Sequence, residues 1–280
     1  MAFDKSIEPL ETAIDERSRY LRRLVIEAIE GGGRGHVGPA MSPIEIIRVL
    51  YDDIMRHDPD NPDWPGRDRF ILSKGHGCPA LYSVLADKGY FPVRELSRFC
   101  RTDSFLGGHP ERGKVPGVEA STGALGHGLP IGVGMALAAK IRKTDTKLFV
   151  LAGDGEINEG SVWEAALSAS KHGLANLTVI IDYNKIQSYG PVSEVMPLEP
   201  LVDKWKAFGF ETAEIDGHDT DSLRRILGGL PLSGHRPSAI ICHTVKGKGL
   251  SVAENDPGWH HKSYLPPEEI QALYDDLDIR

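Results

Sequence analysis

Residues 147–160, KLFVLAGDGEINEG, and 177–186, LTVIIDYNKI, decide the fold. Each stretch opens with an apolar run of strand length, Lys147–Ala152 and Leu177–Asp182, without the polar alternation of a half-exposed strand. Such runs suit strands covered on both faces, as in parallel sheets. Residues 160–172 between them carry helical spacing, so the two runs read as a strand–helix–strand crossover with neighbouring carboxyl ends. In open α/β sheets ligands bind outside those ends. Here the first run ends in Gly153-Asp154-Gly155 and the second leads to Asn184 and Ile186. Asp154 offers a carboxylate, Asn184 an amide oxygen, and a loop carbonyl near Ile186 a third oxygen. Hard oxygens of this kind suit Mg²⁺ or Ca²⁺, and Mg²⁺ usually keeps phosphate oxygens in its shell. Gly153 and Gly155 keep the backbone slim beside a diphosphate, and a helix starting near Gly160 would aim its N-terminus at the anion. The Gly-Asp-Gly segment alone is also an ordinary tight turn. The asparagine behind a second buried strand is what makes the pair a candidate ligand site.

Outward from this centre the same alternation continues. Strands are expected at 69–73, 210–215 and 238–243, and helices at 5–30, 78–88, 199–207, from about Asp219, and at 267–276. The first helix should end at Gly31 to Gly33. A second helix should run to about Met55, with Ser42 as N-cap and Pro43 at its first position. Gly123 to Lys143 begins Gly-rich and becomes an alanine-rich helix, while 100–120 reads as loop. The expected fold is α/β: a mostly parallel sheet with helices on both faces, forming one domain over residues 1–280, without internal repeat or linker.

Composition narrows the function classes. The 280 residues carry 32 Lys and Arg against 40 Asp and Glu, a net charge of −8 with no basic block. Binding of nucleic acid through a basic face is not expected. No apolar run approaches the roughly 20 residues of a membrane span, and the acidic, polar start does not read as a signal peptide. Cys78, Cys100 and Cys242 are scattered without a CxxC pair, which fits free thiols and a cytoplasmic location. The 31 glycines exceed the usual share of about 7% and sit in short clusters, as backbone does where it approaches a ligand.

One of these clusters, Gly33-Arg34-Gly35-His36-Val37-Gly38, is a literal GxGxxG. A dinucleotide fingerprint follows a strand and opens a helix, whereas this one follows a long amphipathic helix, so a nicotinamide cofactor is not expected. The histidines are more telling. Of the eleven, His36, His76, His109 and His127 lie in Gly-rich loops, and His260-His261 follow Trp259 in a polar segment. Imidazoles donate, accept and transfer protons near neutral pH, and a polyol substrate needs several such groups.

As a set, these motifs (GH near 36, SKGH near 76, GGHPE near 109, TGALGHG near 123, GDGEINEG near 153 and NKI near 184) resemble the N-terminal, diphosphate-binding part of transketolase, over essentially the whole chain. The resemblance implies thiamine diphosphate as cofactor, with Mg²⁺ or Ca²⁺ held by Asp154, Asn184 and the Ile186 carbonyl. It implies that Gly153, Gly155 and Glu159 line or support the cofactor region, Leu125 and Gly123 approach the thiazolium, and His76 and His260 adjoin the diphosphate. It puts His36, His76, His109 and His260 around the reacting carbons, with His36 and His260 as candidates for proton transfer and His109 bonded to the donor's terminal hydroxyl. Glu159 has a plainer reading as a charge complementing a helix dipole. Three positions depart from the family pattern: His127 replaces a common glutamine, His261 a common glycine, and Val37 a common proline. His260 rather than His261 is expected to face the site.

The activity implied is transfer of a two-carbon ketol unit between a ketose or its phosphate and an aldose or its phosphate. In this family a glutamate from a separate pyrimidine-binding domain activates the cofactor, and a full transketolase is more than twice this length. The resemblance therefore implies an N-terminal subunit that works with a C-terminal transketolase subunit, most simply as a two-plus-two heterotetramer. Two other diphosphate-binding enzymes share the motif order: the alpha subunit of a 2-oxo acid dehydrogenase's first component, and deoxyxylulose-phosphate synthase. The SKGH and GGHPE histidines favour transketolase, because a polyol needs more hydrogen-bonding groups than a short oxo acid. A non-catalytic regulator is disfavoured by the intact Gly-Asp-Gly and asparagine pair.

Overall fold

Three strands form the buried middle of the molecule: β2 (Leu148–Gly153), β3 (Leu177–Tyr183) and β5 (Ser238–His243), each buried along its whole length. The structure is a computed structural model and describes residues 12–279. With β1 (Arg69–Leu72) and β4 (Glu211–Asp216) at the edges, the strands make one five-stranded parallel sheet in the order β1-β2-β3-β5-β4. Successive side chains point to opposite faces of a strand. Here Phe149, Leu151, Ile180, Ile240 and Cys242 enter one apolar cluster, while Leu148, Val150, Val179, Ile181, Ala239 and Ile241 enter the other. Both faces are therefore covered, which is why the runs read as continuous rather than alternating.

The helices, in chain order, are α1 (Glu16–Gly32), α2 (Val37–Met41), α3 (Ile44–Val49), α4 (Cys78–Asp87), α5 (Gly128–Arg142), α6 (Gly160–Lys171), α7 (Val192–Val195), α8 (Leu201–Ala207), α9 (Thr220–Gly228) and α10 (Pro267–Ile279). The first cluster is completed from α1, α3, α4, α9 and α10, and the second from α5, α6 and α8, whose Trp205 is fully buried.

Two helix boundaries differ from expectation. The first helix starts later: Asp15 is its N-cap and accepts from Ser18 N at 2.8 Å, residues 12–14 are not helical, and the expected part before residue 12 lies outside the described residues. Its end is as expected, with Gly33 at φ 63° supplying the left-handed C-cap. The expected helix to about Met55 is present as α3 continued by a π turn at Leu50–Ile54, but Pro43 rather than Ser42 is its N-cap, and a separate short helix, α2, precedes it and ends at Ser42. The Ser42 hydroxyl instead donates to Asp182 at 2.6 Å, near the carboxyl end of the central strand β3, a buried carboxylate that outcompetes a helix end for it.

Candidate active site

The register of the sheet brings the expected oxygens together. Gly153 of β2 lies opposite Asp182 of β3, so Asp154 and Asn184 leave adjacent strand ends. Asp154 accepts from Gly155 N at 2.7 Å through one oxygen and from Lys185 N at 2.6 Å through the other. Asn184 Oδ1 accepts from Ile186 N at 3.1 Å. An open pocket of about 240 Å³ lies over this corner. Its floor is Gly153, Asp154, Gly155, Glu156, Asn184 and Ile186, and its walls include Gly123, Leu125, His36, His76, His260, Lys74, Gln187 and Lys246.

The histidines converge from four loops. His36 precedes α2, His76 sits in a short 3₁₀ turn at the end of β1, and His260 follows a second 3₁₀ turn, Pro257–Trp259. A paired bridge between Gly35 and Lys262 draws the first and last of these loops together. The His36 ring centroid then lies 5.2 Å from that of His76, 5.5 Å from His260 and 6.3 Å from His109. His109 is exposed at the rim, and its ring lies over Gly123, where an added Cβ would come within 3.1 Å of Cδ2; Gly123 also has φ +150°. Tyr82 of α4 holds this loop by donating its hydroxyl toward the His109 and Gly107 carbonyls, at 2.8 and 3.0 Å.

Other predicted residues fall differently. His260 lines the pocket as expected, yet the exposed His261 is also at the site, its ring centroid 4.5 Å from that of His36. His127 is exposed and turned back on the Leu125 carbonyl at 2.9 Å. Glu159 and Gly160 are exposed and lie outside the pocket lining, so the start of α6 does not border the pocket. The 3₁₀ turn Glu156–Asn158 stands between.

Sequence reasoning missed the pocket's charged groups. Lys74 stands in the SKGH motif beside His76, and Lys246 in the Gly-flanked VKGKG segment. Lys74 is buried and pairs with Asp182, which is also held by the Ser42 and Thr244 hydroxyls. Burial alone would raise the Asp182 carboxyl, but Lys74 overrides it and holds the group below its ordinary value. Lys246 reaches the carbonyls of Ile186 and Gln187 at 3.1 and 3.0 Å and His260 Nδ1 at 2.9 Å. Burial, then the charge of Lys74, brings it down to about 8, so it is mostly an ammonium at neutral pH. An ammonium has donors only, so His260 Nδ1 accepts and the neutral ring carries its proton on Nε2.

Burial drives His36 down to about 3, with the neighbouring His261 and His109 adding to it, and His260 to about 3, with Lys246 adding. His76 is held well below its ordinary value for the same first reason. The imidazoles thus act as neutral donors and acceptors, and the positive potential of the pocket comes from the two lysines. Glu156 ties the loops together, accepting from the Ser73 hydroxyl, from Gly126 N at 2.9 Å and from Gly153 N at 3.1 Å.

The donor set fits a metal diphosphate. Burial, followed by the charge of Asp182, pushes Asp154 up to about 7, a carboxyl that a bound cation would keep ionised. Among the described residues no group of three or more His, Cys, Asp or Glu could hold a metal alone. Asp154, Asn184 and the Ile186 carbonyl leave positions that phosphate oxygens fill, which is how Mg²⁺ is usually bound.

Comparison with known proteins points the same way. The family profile of the transketolase, thiamine diphosphate binding domain, matches residues 14–279. A 6-deoxy-6-sulfo-D-fructose transketolase subunit of Clostridium is 42% identical over 265 residues, 95% of this chain and 96% of that one. An apulose-4-phosphate transketolase subunit of Actinobacillus succinogenes is 43% identical, covering 94% of this chain and 95% of its own. The solved transketolase of Leishmania mexicana superposes with a TM-score of 0.87 at 32% identity, over 95% of this chain but 41% of that one. The chain thus spans about two fifths of the single-chain transketolase it matches in structure, and nearly the whole of the named subunits.

Proposed function

The chain belongs to the transketolase family, in its thiamine diphosphate-binding part, and on that premise we propose that it is the N-terminal subunit of a two-chain transketolase, folded as one diphosphate-binding domain. The observation that carries the reading is the meeting of Asp154, Asn184 and the Ile186 carbonyl under a ring of histidines in one pocket. The near-complete match to chains named as subunits supports the two-chain part.

In this reading Asp154, Asn184 and the Ile186 carbonyl hold Mg²⁺, and the metal with Lys74 and Lys246 offsets the charge of the diphosphate. Gly153, Gly155, Gly123, Leu125, His76 and His260 border the cofactor, and Glu159 supports the Gly126 turn from outside, its Cβ against that glycine. Thiamine diphosphate, when bound, supplies the carbon centre that carries a two-carbon ketol unit from ketose to aldose. His260 offers its Nε2–H toward the pocket. His36 and His76, neutral beside it, accept or donate to sugar hydroxyls, and His109 and His261 reach the sugar from the rim. Such positioning is the protein's main contribution where the cofactor does the chemistry.

A C-terminal transketolase subunit supplies the glutamate that activates the cofactor and most contacts to the sugar, in a two-plus-two heterotetramer. The residues that select the sugar fall to that partner in this reading. Free cysteines (Cys78 and Cys242 buried, Cys100 partly so) support a cytoplasmic site of action, and no helix of the described residues is long and apolar enough to cross a membrane.

The test is to assay this chain with thiamine diphosphate and Mg²⁺, alone and with the partner, on a ketose phosphate and an aldose phosphate. Turnover should require both chains. Substantial turnover by this chain alone would sink the two-chain reading, and release of CO₂ from pyruvate would favour a 2-oxo acid enzyme instead.

A further inference from the structure

The row of imidazoles does not end at the pocket lining. His76 and His260, which line the pocket, have ring centroids 5.2 and 5.5 Å from that of His36. The nearest ring to His36 is none of these but His261, 4.5 Å away at a tilt of 50°. His261 is exposed, so the row runs from the lining out to the open rim. It stands where the family pattern commonly has glycine, so this chain adds a ring at that place. Among the described residues neither the His36 nor the His261 ring is hydrogen-bonded to the protein, and neither has a nitrogen sealed from solvent.

The segment carrying His261 is held on both sides. Before it, His260 Nδ1 accepts from Lys246 at 2.9 Å, and the His260 backbone N–H donates to the Pro257 carbonyl at 2.9 Å. After it, Lys262 and Gly35 exchange backbone hydrogen bonds at 2.9 and 3.0 Å. Lys262 Nζ also lies 4.2 Å from the Trp259 ring centre and 3.2 Å from Glu269. Gly35 directly precedes His36, so this bridge fixes the two imidazoles relative to each other. The pair is preorganised, which lowers the cost of seating a ligand between them.

A hydroxyl donates once and accepts twice, so between two imidazoles it can donate to one and accept from the other. At about 2.8 Å per bond, one oxygen bridges nitrogens roughly 4.5–5.5 Å apart. Rings centred 4.5 Å apart supply that span. In the proposed reaction the aldehyde carbon of the aldose faces His260 and His36. The hydroxyl on the next carbon outward is the first to reach the rim. We propose that His261 and His36 hold this hydroxyl between their rings, which makes His261 a substrate-binding residue. The proposal rests on the transketolase reading of the pocket. Aldoses in general carry that hydroxyl, so the contact positions the acceptor without choosing among sugars.

The holoenzyme, this chain with its C-terminal partner, thiamine diphosphate and Mg²⁺, is assayed with one ketose donor and two acceptor pairs. Glycolaldehyde is paired with acetaldehyde, and D-ribose 5-phosphate with its 2-deoxy analogue; the second member of each pair lacks the hydroxyl in question. His261→Ala should lower kcat/KM for the hydroxylated member by about three- to tenfold, as for one neutral hydrogen bond, and leave the other member unchanged. His261→Gln, which keeps a donor and an acceptor, should recover most of the loss. His36→Ala combined with His261→Ala should cost less than the product of the two single losses, because one hydroxyl serves both rings. Equal losses within each pair, as from a ring that merely props His36, or no loss with the hydroxylated acceptors, would overturn the proposal and leave the transketolase reading standing. Absence of ketol transfer by the unaltered holoenzyme to any of the four acceptors would overturn both.

Discussion

Replacing Asp182 by Asn tests how the pocket is held open for an anion. Asp182 is fully buried and accepts from Lys74, Ser42 and Thr244. Asparagine keeps an acceptor for only one of the two hydroxyls, which bond different oxygens, and leaves the Lys74 ammonium, itself 2% exposed, without its countercharge. Breaking one side of a buried ion pair costs about 3–5 kcal/mol, because the remaining charge stays desolvated. At an unfolding entropy of about 2.1 cal/mol/K per residue, a chain of 280 residues should lose about 5–9 °C of melting temperature. Lys74→Met in the Asp182→Asn background removes the stranded charge and should recover at least half of the loss. Because Lys74 lines the pocket, a bound diphosphate should also replace the missing countercharge. Pyrophosphate with Mg²⁺ should then raise the melting temperature of the single variant by more degrees than that of the unaltered chain. Thermal and urea unfolding of the three proteins, with and without pyrophosphate, give all these values. A single variant within about 1 kcal/mol of the unaltered chain, or a double variant no more stable than the single, would refute the reasoning.

Asp154→Ala removes the only carboxylate of the proposed metal set and should abolish Mg²⁺-dependent binding of thiamine diphosphate; calorimetry that still finds such binding would count against the assignment. Glu156→Ala strands two backbone N–H groups and a hydroxyl, each at about 1–3 kcal/mol at most when buried, so amide exchange at Gly126 and Gly153 should quicken together and stability should fall by several kcal/mol. Acid stability should track Glu45, which is buried against Arg22 at 2.6 Å and His218 at 2.9 Å. Burial would raise this carboxyl, but Arg22 and then His218 hold it well below its ordinary range. Its folded pKa is thus below the unfolded value of about 4.3, so its contribution is full above that pH and is lost on acidification below it. Urea unfolding from pH 7 to pH 3 should show a decline that is shallower in Glu45→Gln.

What was readable in the chain followed from local rules. Strands buried on both faces leave continuous apolar runs, so β2, β3 and β5 fall within a residue of their expected bounds. Asp154 and Asn184 are legible for the same reason, since each directly follows such a run. The strand order is not local: β5 pairs between β3 and β4, and nothing in their sequences dictates that return. Ser42 looked like an N-cap because its neighbour Pro43 suits a helix start, yet its acceptor, Asp182, is 140 residues away. Lys246 and Gln187 escaped for a similar reason. They come from loops 59 residues apart, and their meeting depends on where β5 inserts.

The carboxylates of the pocket bear on what a bound cofactor would still need from another surface. Only Asp154 and Glu156 line it among the described residues. Asp154 commits an oxygen each to two backbone N–H groups and is the one carboxylate a metal there could use. Glu156 is occupied by three donors, and removing any of them would loosen the loops that shape the pocket. The lining histidines His36, His76 and His260 are neutral, and the one whose tautomer the contacts fix, His260, presents a donor rather than an acceptor. A group that must hold a proton or a negative charge beside the far end of a cofactor is therefore not free in this pocket. A base for that position has to arrive on another surface, and the exposed rim at Leu125, His109 and His261 is where it would come into reach of the pocket.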